Sequence, residues 1–170
     1  MPTSWSRRRG RNKPSSRSER TSRNSPRRKT VHKNPNPEEI QTLFENSRTI
    51  AVVGLSDKPH RPSHGVAKAM KSFGYDIFPV NPNLSAPLLG EKPHPSLSDI
   101  EAPVDIVDVF RRSEEVMPIA REATKIGAKA LWLQLGVMNE EAAEYAKEHG
   151  LMVVMNRCIR VDYGSLRSRS

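Results

Sequence analysis

Gly54-Leu55-Ser56, with Lys58, Arg61 and Ser63 close behind, is where residue types and spacing in this 170-residue chain point most clearly to chemistry. The apolar run that starts at Thr49 meets a glycine able to turn the chain tightly. A polar loop follows, and Ser63-His64-Gly65-Val66-Ala67 reads as a helix start with Ser63 as its N-cap. Such a turn aims backbone N–H groups and the positive end of a helix dipole at one point, which suits a phosphate or diphosphate. Arg61 fits a two-point phosphate contact better than Lys58, because its guanidinium is planar and forked. Asp57 reads as a turn residue, since an acid does not favour phosphate.

Other groups are weaker candidates. Arg111-Arg112 reads as a solvated pair, with phosphate contact as the alternative. Cys158 follows Arg157 after an apolar run, a setting that can raise thiol reactivity; a small buried side chain is the plainer reading. His60, His64, His94 and His149 have no metal-ligand spacing, and no nucleophile elbow or Walker loop is present. No catalytic residue and no metal ligand is assigned.

The elements that must hold these residues alternate. Strands are expected at Thr49–Leu55, Tyr75–Val80, Val104–Phe110, Ala128–Leu135 and Leu151–Met155. Helices are expected from Asn36-Pro37-Glu38-Glu39, from Ser63 to Gly74, from Ser113 to Ile126 and from Asn139 to His149-Gly150, with a short helical turn at Ser96–Ile100. Pro118 lies beyond the usual first-turn slot, so a local irregularity is expected there. Continuous apolar strands joined by helix-length crossovers predict a Rossmann-like, doubly wound α/β fold with a parallel sheet of about five strands. Ligands of such sheets bind at the carboxyl ends of the strands. Here those are Gly54–Asp57, Asn81–Asn83, Phe110–Ser113, Gln134–Val137 and Asn156–Cys158.

Composition sets the limits. The formal net charge is +9, but residues 1–33 hold 12 Lys/Arg and one acid, while the remainder holds 16 Lys/Arg and 18 acids. The domain itself therefore needs no polyanionic partner. Residues 1–35 are expected to be a disordered Arg/Ser-rich tail and 36–170 the folded domain. Contact of residues 1–33 with nucleic acid is one reading of the tail, and a solvated extension is the plainer one. One cysteine, no span of about 20 apolar residues and no secretory signal lead to an expectation of a cytoplasmic protein without membrane contact. Nothing in the sequence selects an oligomeric state.

Taken in order, Ile50–Ser56 with Arg61-Pro62-Ser63, Gly74–Pro82, Val104–Phe110, Leu131–Gly136 and Met155–Cys158 resemble the small single-domain CoA-binding proteins. These are similar to the CoA-binding domain of the succinyl-CoA synthetase alpha subunit. The resemblance covers roughly residues 40–165. It implies CoA or an acyl-CoA as ligand, and a binding or regulatory module, because the synthetase's catalytic domain has no counterpart here. It implies ligand contacts at Gly54, Leu55, Ser56, Lys58, Arg61, Ser63, Asn81, Pro82, Leu133 and Gln134. Leu135 stands where the synthetase motif has an acid. The alternative is an NAD(P)-binding oxidoreductase or regulator. Against it, Asn81-Pro82-Asn83 offers no acid for ribose hydroxyls, and Gly54 and Gly65 stand eleven residues apart, unlike a compact dinucleotide fingerprint.

Overall fold

The computed structural model describes residues 30–169. The expectations for residues 1–29 lie outside the described residues. Helix α1 (Pro37–Glu45) opens with Asn36 and Glu39 bonding each other's backbone N–H, and Pro37 occupies the first helical position. Strand β1 (Thr49–Val53), helix α2 (Pro62–Ser72) and strand β2 (Asp76–Val80) follow. Then come β3 (Ile106–Val109), α3 (Val116–Lys125), β4 (Ala130–Leu133), α4 (Glu140–Glu148), β5 (Met152–Val154) and α5 (Ile159–Arg167). The five strands form one sheet in the order β2-β1-β3-β4-β5. Every pairing is parallel.

Both faces of the sheet are covered, which accounts for the unbroken apolar runs. Val53, Val107, Leu131 and Val153 point to one side and pack with α3 and α4. Ile50, Val52, Ile106, Trp132 and Val154 point to the other and pack with α1, α2 and α5. Trp132 is fully buried, and its indole N–H donates to the Arg157 carbonyl at 2.9 Å.

Two features differ from the sequence reading. The helix expected from Ser113 begins as a 3-10 turn, Ser113–Glu115, and only then becomes α3. The irregularity thus precedes Pro118, which becomes the third residue of α3, where an N–H would lack a helical partner anyway. The segment after Cys158 is a full helix, α5, whose Ile159 and Asp162 are buried. Ile159, Tyr163 and Leu166 give its inward face, and Gly164 weakens that pattern in the sequence.

Contacts also begin before α1. The His32 N–H donates to Glu140 Oε2 at 2.7 Å. The Asn34 amide donates to the Met155 carbonyl at 3.0 Å and accepts from the Met155 N–H at 2.8 Å. Asn34 thereby pairs with the backbone just past β5 as a neighbouring strand would. On the opposite edge, the His94 backbone bonds Pro79 and Asn81 and continues the sheet beside β2.

Candidate functional site

The strand order reverses between β1 and β3, so the crevice of this fold lies at their carboxyl ends. Four backbone bonds carry the ladder past the strands: Gly54 N–H to Val80 O, Phe110 to Val53, Gln134 to Val109, and Arg157 to Leu133. Side chains tie neighbouring turns together. Asn81 Nδ2 donates to the Leu55 carbonyl at 3.0 Å, and the Gly136 N–H donates to Asn156 Oδ1 at 2.8 Å. The five carboxyl-end segments therefore form one bonded rim.

At the head of α2 the sequence-selected residues take specific places. Gly54 has φ +86°, and a Cβ there would lie 2.4 Å from the Phe110 carbonyl oxygen. The glycine is thus required by the approach of β3, independent of any ligand. Leu55 is fully buried, and its carbonyl accepts from Asn81 Nδ2. The Ser56 N–H donates to Ser63 Oγ at 3.0 Å, and His64 Nδ1 lies 3.0 Å from the Ser56 carbonyl. Ser56 Oγ accepts from the Lys58 N–H at 3.1 Å. The loop is thereby clamped to the helix.

Arg61, not Ser63, is the N-cap of α2, and Pro62 holds the first helical position. The Ser63 hydroxyl is spent on the loop, so no side chain caps α2, and its first turn contains no acid. Helices α1 and α4 differ on both counts. Asn36 and Asn139 cap them, and two glutamates occupy each first turn. Helix α2 thus keeps an uncompensated positive end at the crevice, beside the exposed side chains of Lys58 and Arg61.

The other selected positions divide. Pro82 is exposed and lines a cleft of about 400 Å³ between the ends of β1–β3 and α3, whose walls carry Val53, Val80 and Leu97 together with Arg111 and the three acids Glu114, Glu115 and Glu122. Asn81 is committed to structure: its amide bonds Leu55, and its Oδ1 accepts from the Asn83 N–H at 3.0 Å. Leu133 is fully buried, so its side chain cannot reach the crevice. Gln134 is also buried, and its Nε2 donates to Asp108 Oδ1 at 2.7 Å.

Two residues gain weight. Arg111 lines the cleft and reaches back toward Gly54, joining the cleft to the head of α2. Its position directly after β3 was the available signal. Asp108 was not singled out, because an acid inside an apolar strand has no motif around it. It is fully buried, its Oδ2 has no partner, and desolvation pushes its pKa up to about 8 against the Gln134 hydrogen bond. Cys158 is the N-cap residue of α5 and half-buried against the core. No group of three or more His, Cys, Asp or Glu able to hold a metal occurs among the described residues. No described helix is long and apolar enough to cross a membrane.

An uncapped helix end with cations beside it suits a ligand that carries phosphates, as CoA does. Similar proteins are known. The chain is 49% identical over 123 residues to the uncharacterized protein YneT of Bacillus subtilis, spanning 72% of this chain and 90% of that one. A hypothetical protein from Pyrococcus horikoshii OT3 superposes with a TM-score of 0.75 at 35% identity, covering 81% of this chain and 99% of that one. The dinucleotide-forming acetyl-coenzyme A synthetase 1 of Ca. Korarchaeum cryptofilum shares the fold at a TM-score of 0.59 and 27% identity. There the match covers 69% of this chain but 27% of the synthetase. Residues 48–164 match the CoA binding domain, and the chain belongs to that family.

Proposed function

We propose that this protein binds CoA or an acyl-CoA at the carboxyl ends of β1–β4, and that it works as a binding or regulatory module without catalysis of its own. The observation that carries this reading is the start of α2, which lacks both a capping side chain and first-turn acids. An external anion is the natural complement of such an end. The diphosphate sits there, against the Ser56–Lys58 loop, with Arg61 and Lys58 supplying charge. The adenosine end enters the cleft lined by Pro82, Val53 and Val80, and Arg111 reaches phosphate from the β3 side. Leu55 and Ser56 serve by holding the loop against the β2 turn and α2. Asn81 and Gln134 serve by fixing the rim.

Isothermal titration of the protein with CoA tests this. A saturable heat with one site per chain is expected, together with weakening of at least tenfold in Arg61→Ala, because a charge-assisted phosphate contact contributes about 1.5–3 kcal/mol. Absence of heat at millimolar CoA ends the proposal. NADPH titrated in parallel separates the dinucleotide alternative, which predicts the tighter binding for NADPH.

A further inference from the structure

The cleft between the ends of β1–β3 and α3 carries more negative charge than a phosphate-bearing ligand calls for. Its floor is apolar, with Val53, Val80 and Leu97 buried in one core cluster. Its rim sets Glu114, Glu115 and Glu122 against the cation Arg111. Two of these acids are partly answered within the fold. Glu115 Oε2 lies 3.6 Å from Arg112 Nε, and Glu122 Oε2 accepts from the Leu97 N–H at 3.0 Å. Glu114 stands exposed between them in the chain, in the Ser113–Glu115 turn. An apolar groove with such a rim attracts cations that come with an apolar neighbour.

A segment of that composition belongs to this chain. Residues 1–29 hold eleven Lys/Arg and one acid, and they end in Pro26-Arg27-Arg28-Lys29. The described chain takes over at Thr30 and is anchored two residues later, where the His32 N–H donates to Glu140 Oε2 in the first turn of α4. That turn is itself bonded to the rim of the cleft. Asn139 Nδ2 donates to the Ser113 carbonyl at 2.9 Å, and the Met138 N–H donates to Ser113 Oγ at 3.0 Å. Ser113 directly precedes Glu114. Two hydrogen-bonded steps therefore separate the anchor from the rim. An extended chain advances about 3.4 Å per residue, so the stretch from Pro26 to His32 reaches roughly 20 Å.

We propose that Pro26–Lys29 docks in this cleft, with Arg27, Arg28 and Lys29 on its glutamate rim and Pro26 toward its apolar floor, so that the chain's own N-terminal segment competes with the nucleotide end of the ligand. The competition rests on the CoA reading above and adds a regulation of that same site; the docking itself needs no ligand. Contacts of this kind are exposed, hence individually weak and sensitive to salt. Attachment to the domain compensates, because a tethered segment is presented at high effective concentration. Binding of the ligand then requires displacement of the segment.

The full chain and its variant Arg27→Gln/Arg28→Gln/Lys29→Gln test this. Amide NMR spectra without ligand should differ at Leu97 and over residues 114–122 in low salt, and the difference should fade at high salt. Isothermal titration in low salt should show the variant binding CoA about threefold tighter than the parent, with equal affinities at high salt. Glu114→Lys, placed in both backgrounds, should bring that ratio toward one, and a thermal melt verifies that this exposed substitution leaves the fold intact. Identical spectra overturn the docking. Shifts confined to α4 place the segment on the glutamates of that helix and overturn it as well. Weaker CoA binding by the variant means that Arg27, Arg28 and Lys29 hold ligand phosphates, and it overturns the competition. Cleft shifts without CoA binding by either chain support the docking and end the CoA reading alone.

Discussion

Single residues at this site divide into those that build the rim and those left free to meet a ligand. Gly54 builds. Its left-handed φ and the Phe110 carbonyl 2.4 Å from any Cβ mean that Gly54→Ala must displace the end of β3. Destabilisation of roughly 2–4 kcal/mol is expected, read as a lower denaturant midpoint. Asp108 also builds, at a cost. Its carboxyl is held near pKa 8 in the fold and returns to about 3.8 when unfolded. Between those values the native state binds the extra proton, so stability falls as pH rises from about 4 to about 8 and then levels. Asp108→Asn keeps an acceptor for Gln134 and removes the ionisation. Its melting temperature should exceed that of the parent at pH 8 and approach it at pH 4. A parent-like fall with pH in this variant would place the titration elsewhere. Sequence made the type of these positions legible, but not their commitments. Nothing in Asn81-Pro82-Asn83 or Leu133-Gln134 says that the Asn81 amide goes to Leu55, or that Gln134 goes to a buried acid one strand away. Those bonds join residues 26 positions apart and exist only once the sheet has formed.

At the level of elements, the contrast between α2 and its neighbours links stability to function. A helix with a capping Asn and two acids in its first turn has its dipole answered internally, as in α1 and α4. Helix α2 forgoes both and begins at Arg61-Pro62. Arg61→Asp would therefore act in two opposite directions. A new N-cap should raise stability by about 1 kcal/mol. The same carboxylate would face the diphosphate and weaken CoA by tenfold or more. A variant that melts higher and still binds CoA as the parent does would remove α2 from the site. The helix itself was legible in Val66, Ala67 and Met70, which recur at helical spacing and are buried. Its cap was not: Ser63 satisfies the local rule for an N-cap, and the rule fails because the Ser56 loop folds back and takes the hydroxyl. Helix α5 escaped for the opposite reason. Its inward face is real, but Gly164 and a buried Asp162 paired with Arg157 blur the apolar period.

At the scale of the molecule, the sheet has two edges, and each is closed by a short irregular segment. His94 lies along β2, and Asn34 pairs with Met155 beyond β5. The second closure matters more, because β5 is three residues long and few ladder bonds hold it. Asn34 makes two hydrogen bonds with the Met155 backbone, and such bonds contribute about 1 kcal/mol each. The boundary expected at residue 36 would cut them away, together with the tie from His32 to Glu140 that holds the first turn of α4. Two truncations separate the roles of these residues. A chain beginning at Thr30 keeps both ties and should melt as the full chain does. A chain beginning at Asn36 should melt lower by roughly 5 °C, since a loss near 2 kcal/mol moves a domain of this size by several degrees. Both should still bind CoA, because Lys58, Arg61, Pro82 and Arg111 follow β1, β2 and β3, none of which pairs with β5. Equal melting temperatures for the two chains would show that β5 needs no partner on its outer edge. Loss of CoA binding on removing residues 30–35 alone would mean that the crevice depends on β5 more than its position over β1 and β3 implies.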